Sequence, residues 1–190
     1  MTTNAPTNNQ AFFSYLHEES DITDIILREG KRFTSLSIFS EKVLRGPSDF
    51  SIAERETMAA YVSALNNCTY CHNTHLAVAQ QFGVDGKLLG QLIEGINSTP
   101  ISEKLKPVYQ YIKKLTLEPS KMIKSDADRV FSAGWSEQAL ADAICVCALF
   151  NCYNRLLDGY GIKGTKEGYI NGAKQLSKRG YRISWIPRFL

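Results

Sequence analysis

Residues Glu56–His75, ETMAAYVSALNNCTYCHNTH, decide how this chain reads. Ile52, Met58, Ala59, Val62 and Leu65 recur at helical spacing, and Ser51 with Glu54 makes a capping box, so a helix is predicted over about 51–66. Asn66-Asn67 interrupts it, and a second helix is predicted over about 69–82, with Leu76, Ala77 and Phe82 inward and Gly83 closing it. The joint between the two helices gathers the pair Cys68 and Cys71, while Glu56, His72 and His75 lie close by in sequence. If the pair opens the second helix, its N-terminus favours thiolate, and His75, four residues after Cys71, shares a face with that thiol.

Outward from this centre the helical pattern continues. On the N-terminal side, Phe12–Leu27 fits two short helices stopped at Gly30, and a helix over 33–44 puts Leu36, Phe39, Val43 and Leu44 on one face before Gly46-Pro47. Residues 1–10 are polar and read as a loose tail. On the C-terminal side, Asp85 caps a helix through Leu88, Leu92, Ile93 and Ile96, and another runs over about 102–117, with Pro107 tolerated near its first turn. Ser125 with Asp128 resembles a cap for a short helix ending near Gly134, and Ser136 caps a long apolar helix to about Leu157, expected to be the buried centre. Cys145, Cys147 and Cys152 on it read as core. Residues 163–190, with Lys178, Arg179, Arg182, Trp185 and Arg188, read as a basic, aromatic arm wrapping a surface, such as that of a neighbouring subunit. No strand-like alternation of convincing length occurs, so the fold class is all-α. A shift of 85 residues lays Ser51 on Ser136 and Ala64–Asn66 on Leu149–Asn151, a faint sign of a degenerate duplicated unit.

At 190 residues, with 44% hydrophobic and 22% charged residues, the chain fits one ordinary folded domain. A net charge of +3, scattered along the chain, lacks the basic stripe that nucleic acid demands. The first residues carry no signal-peptide pattern and no run is apolar for the length of a spanning helix, so a cytoplasmic protein away from membranes is expected. Five cysteines without an export signal fit reduced thiols.

Three chemistries can use the Cys-x-x-Cys pair. A structural zinc site needs four ligands, and no second Cys-x-x-Cys or His-x-x-x-His cluster stands by to complete one. Cys68-Thr-Tyr-Cys71-His72 also matches the c-type haem attachment pattern, a chemistry that requires export. Thiol redox chemistry takes one thiolate to a sulfenic acid and then to a disulfide with its neighbour. For that reaction His75 is in phase to act as base, and Glu56 can orient it or relay its proton; the plain alternative is a solvated first-turn carboxylate and a hydrogen-bonded surface histidine.

Glu56, eleven residues, Cys68-x-x-Cys71, three residues and His75 together resemble the signature of the alkylhydroperoxidase D-like branch of the carboxymuconolactone decarboxylase family. The stretches RGPSDFSIAERE (45–56), VSALNNCTYCHNTH (62–75) and ALFNCYNRLLDGYGI (148–162) are similar to its peroxidase-related subgroup, with resemblance spanning about residues 36–162. That resemblance implies an all-helical bundle forming a homo-oligomer (dimer, trimer or hexamer). It implies a hydroperoxide reductase that needs no haem, metal or other cofactor and is recharged by an external dithiol, of protein or lipoyl type. It makes Cys71 the peroxidatic thiol, Cys68 the resolving one and His75 with Glu56 the proton relay. His72 lies outside the motif and reads as solvated or as tuning the thiol, and Asn154 reads as a structural tie for the long helix. The alternatives are a dithiol redox sensor or disulfide-exchange protein, and the lactone chemistry of the wider family, which has no evident need for a thiol pair.

Overall fold

The computed structural model describes residues 12–182, which form α1 (Ile22–Arg28), α2 (Gly30–Arg45), α3 (Ile52–Leu65), α4 (Thr69–Gln81), α5 (Leu88–Glu94), α6 (Lys106–Leu117), α7 (Lys124–Ser132), α8 (Glu137–Tyr160) and α9 (Lys166–Arg179). No strand occurs among the described residues, as the patterning requires. The expected tail at 1–10 and the side chains of Trp185 and Arg188 lie outside them.

α3 and α8 run side by side and parallel at the centre. Near their starts Ser136 Oγ donates to Asp49 (2.9 Å) and Ser48 Oγ to Asp142 (2.5 Å); further along, Asn66 Nδ2 donates to Asn151 Oδ1 at 3.1 Å. Asn66 and Asn151 are the positions that the 85-residue shift superposes, so the two faintly similar segments lie against each other. They differ in how they end: Asn67 adopts φ 57° and breaks the first into α3 and α4, whereas the second continues as one helix to Gly161, whose φ of 74° ends it. By length and composition α8 could cross a membrane, but one face of it packs against α3, α6 and α2, as a core helix does. The core is filled by large fully buried side chains such as Tyr61 and Tyr109, whose rings meet edge to face at 5.3 Å, and Phe50, Phe150, Met58 and Leu149.

Several local expectations are corrected. Phe12–Ser20 forms turns rather than a helix, and Gly30 opens α2 instead of stopping a helix, since the capping box of Asp21 and Asp24 starts α1 late. The buried face of α2 carries Phe33, Ser37, Ser40 and Leu44, with Phe39 turned outward, because the two serines find partners: Ser40 Oγ pairs with Tyr153 Oη (2.9 Å) and Ser37 Oγ donates to the Tyr181 carbonyl (2.6 Å). α4 turns Thr74, His75, Val78 and Ala79 inward, leaving Leu76, Ala77 and Phe82 half-buried. On α8 only Cys147 is core; Cys145 is half-buried and Cys152 exposed, since both lie off the face defined by Ala143, Cys147, Phe150 and Asn154. The described part of the C-terminal arm is a capped helix, α9, packed on α4 of the same chain.

The start of α7 is held by Asp126 in place of Ser125 and Asp128. Lys114 donates to it (2.7 Å), as do the Ile123 N–H (2.9 Å) and Arg129 (2.5 Å), and these bonds, Lys114 first, hold its carboxyl down at about 2. A depressed carboxylate contributes stability that is present above its ordinary value of ~3.9 and is lost as the pH falls through the folded value. Asp126→Asn is therefore expected to remove part of the loss of stability between about pH 4 and pH 2, read as the urea midpoint against pH. An acid limb identical in the variant and the parent would refute this.

Candidate functional site

Two short-range features of the backbone build the site. At the end of α3, Asn67 in the left-handed region reverses the chain, and the Cys68 N–H donates to the Ser63 carbonyl (2.9 Å). Cys68 thereby becomes the N-cap of α4 and Cys71 its third residue, so both thiols sit at the positive end of a helix. Both are free and buried. The neighbouring Cys71, against the cost of burial, holds the Cys68 thiol below the ordinary thiol value. The neighbouring Cys68, with burial next, pushes Cys71 up, while the Asn154 amide works against the rise.

One turn after Cys71, His75 is buried and meets Glu56, whose side chain is 0% exposed, at 2.7 Å from Nδ1 to Oε2. Burial alone would raise the Glu56 carboxyl, but the hydrogen bond and charge of His75, the Arg45 guanidinium and the Tyr181 hydroxyl together hold it below the usual carboxylate range. An ionised Glu56 can only accept, so Nδ1 carries the proton and Nε2 is left as the basic nitrogen. Arg45 Nη1 donates to Glu56 Oε1 at 2.6 Å, and Phe150 packs edge-on against the imidazole at 4.4 Å. Glu56 is therefore no solvated first-turn carboxylate, and His75 no surface histidine. The structure places Glu56, Cys68, Cys71 and His75 on two adjoining helices, α3 and α4.

Three further residues enter the site. Asn154 on α8 accepts from Asn66 (2.9 Å) and donates to Ser63 Oγ (2.9 Å), which is the expected tie, and its amide also faces Cys71. Arg45 and Tyr181 reach Glu56 from α2 and from two residues past the end of α9; neither belongs to any spacing pattern, and the pairing of Tyr181 with Glu56 spans 125 residues. His72 is half-buried rather than solvated: burial lowers its pKa, its Nδ1 has no partner, and it lines an open cavity of ≈ 290 Å³ with Ser63, Ala64, Asn67, Cys68 and Thr69. Among the described residues no group of three or more His, Cys, Asp or Glu is arranged to hold a metal ion.

The same arrangement of helices is found in known structures. An uncharacterized peroxidase-related protein from Silicibacter sp. TM1040 superposes with a TM-score of 0.70 at 20% identity, over 88% of this chain and 98% of that one. A second such protein, from Ralstonia eutropha JMP134, described as an alkylhydroperoxidase AhpD core, superposes with a TM-score of 0.71 at 17% identity, over 78% of each chain. The chain has the alkylhydroperoxidase D fold. No protein-family model matches it, and no curated protein does either. At these identities the likeness to the alkylhydroperoxidase D core is one of backbone, so the chemistry has to be argued from the residues of this chain.

Proposed function

We propose that this protein is a thiol-dependent hydroperoxide reductase. The observation that carries the reading is a fully buried, ionised carboxylate bonded to the histidine one turn after a dithiol at a helix N-terminus. Burying Glu56 and His75 together carries a desolvation cost, and such buried titratable pairs cluster where they do chemistry; proton delivery beside a thiol is chemistry of that kind.

In the reaction, His75 Nε2 takes the proton from Cys71, and the Cys71 thiolate attacks one oxygen of the hydroperoxide. A sulfur–oxygen bond forms, the oxygen–oxygen bond breaks, and His75 returns the proton to the departing alkoxide or hydroxide. Cys68 then gives up its own proton and attacks the Cys71 sulfenic sulfur; a disulfide forms and the hydroxyl leaves as water with that proton. An external dithiol of protein or lipoyl type reduces the disulfide and is itself oxidised. The site needs no resident metal or cofactor for these steps, and a cytoplasmic homo-oligomer is the setting proposed for it.

Treating the reduced protein with one equivalent of peroxide and mapping it by mass spectrometry tests the reading. The peptide holding Cys68 and Cys71 is expected to lose both thiol hydrogens, and peroxide is expected to be consumed catalytically once a dithiol is added. Formation of the disulfide with only background turnover, whatever the dithiol, would replace the proposal with a redox sensor or disulfide-exchange protein.

A further inference from the structure

The Glu56–His75 pair is closed on one side by Tyr181, two residues past the end of α9. Its hydroxyl donates to Glu56 Oε1 at 2.8 Å and lies 3.3 Å from His75 Nδ1, and its ring is nearly parallel to the imidazole, 10° between planes and 6.2 Å between centroids. A fixed backbone holds it there. Ser37 donates to the Tyr181 carbonyl (2.6 Å), Glu41 accepts the Tyr181 N–H (2.7 Å), and Arg45, itself bonded to Glu56, donates to the Leu176 carbonyl (3.2 Å) and lies over the Tyr181 ring at 4.9 Å. Ser37, Glu41 and Arg45 are spaced four apart, so one face of α2 clasps the arm. Four contacts to one phenol and two to its backbone, with the hydroxyl placed between the two members of a buried pair, exceed what a tyrosine merely filling space requires.

We infer that Tyr181 is a positioning residue of the proton relay: its hydroxyl fixes Glu56, and its ring keeps water from the Nδ1 edge of His75, so that protons leave and enter the relay only through Nε2. The inference rests on the hydroperoxide reductase reading. Burial, followed by the neighbouring charge of Glu56, holds the phenol well above its ordinary range, so it remains a donor wherever the thiols react. With Tyr181 in place, Glu56 Oε1 is shared by Arg45 and the phenol while Oε2 is left to Nδ1, which fixes both the carboxylate orientation and the imidazole tautomer. Without the hydroxyl the carboxylate can rotate, and without the ring the Nδ1 proton exchanges with solvent.

The test compares full-length Tyr181→Phe, Tyr181→Ala and Arg182→Ala with the parent, the last removing only the exposed contact between Arg182 and Glu41. In peroxide turnover with a dithiol donor, Tyr181→Phe is expected to lower kcat by about tenfold with KM within about twofold, the loss of one hydrogen bond to a charged group. Tyr181→Ala should fall further, and Arg182→Ala should match the parent. By nitrogen-edited NMR, the His75 Nδ1 proton should be a slowly exchanging downfield signal in the parent and in Tyr181→Phe, and exchange-broadened in Tyr181→Ala. Parental kcat in both tyrosine variants, a loss in Arg182→Ala equal to that in Tyr181→Phe, or unchanged exchange in Tyr181→Ala each overturns the inference. If the parent itself turns over no peroxide, the reductase reading falls, and the NMR exchange alone then decides whether Tyr181 shields the pair.

Discussion

Cys71→Ser is expected to reduce peroxide turnover to background, and Cys68→Ser to stop it after a single equivalent. The two thiols have different surroundings. Cys71 shares a face of α4 with His75 and is met by the Asn154 amide, whereas Cys68 is the N-cap of α4 and lies at the wall of the open cavity. A serine at 71 leaves no thiol beside the base, so neither fast peroxide consumption nor a sulfenic acid should be seen. A serine at 68 leaves the attacking thiol but nothing to resolve it, so one equivalent of peroxide should be consumed and Cys71 trapped as a sulfenic acid that reacts with dimedone. Stopped-flow peroxide consumption and mass spectrometry of the dimedone adduct read the two outcomes. The adduct on Cys68 in Cys71→Ser, with rapid consumption, would reverse the roles. Full turnover in Cys71→Ser would remove the mechanism altogether.

Glu56→Ala is expected to have the largest effect on stability. The side chain is completely buried and accepts from Arg45, His75 and Tyr181, and the Arg45 guanidinium is itself only 10% exposed. Removing the carboxylate leaves a buried cation without a counter-charge, which costs about 3–5 kcal/mol. Loss of the group that orients His75 should lower turnover by roughly 10²-fold or more, the usual weight of positioned acid–base catalysis. Urea denaturation and steady-state kinetics measure the two effects separately. The double variant Glu56→Leu with Arg45→Met removes both charges and should recover part of the stability, since a buried ion pair can often be replaced by apolar side chains, while turnover stays low. Recovery of turnover along with stability would show that Glu56 is only structural, and an unchanged urea midpoint in Glu56→Ala would show that the cluster carries no stabilising charge.

Much of the site was legible because its parts are local. The capping box of Ser51 and Glu54, the Asn66-Asn67 break and the four-residue step from Cys71 to His75 are all short-range, and helical periodicity converts such spacings into shared faces. Packing was less legible. Periodicity marks an apolar stripe but does not say which polar residues find partners, so Phe39 was expected inside and Ser37 was not, while the structure buries the serine because it has the Tyr181 carbonyl to bind. Cys152 misled for the same reason: α8 is apolar on most sides, and only its neighbours decide which side is covered.

By itself the sequence determined the all-helical class, the joint at Asn67 and the membership of Glu56, Cys68, Cys71 and His75 in one neighbourhood, since each depends on interactions within a few turns of helix. Only the tertiary structure decided the state of those groups. Whether Glu56 is a solvated carboxylate or a buried anion depends on Arg45 from α2 and on Tyr181, 125 residues away, and Asn154 from α8 reaches the thiols' end of α4 only in the fold. Charge and proton position answer to burial and to partners from distant segments, and no local pattern records those.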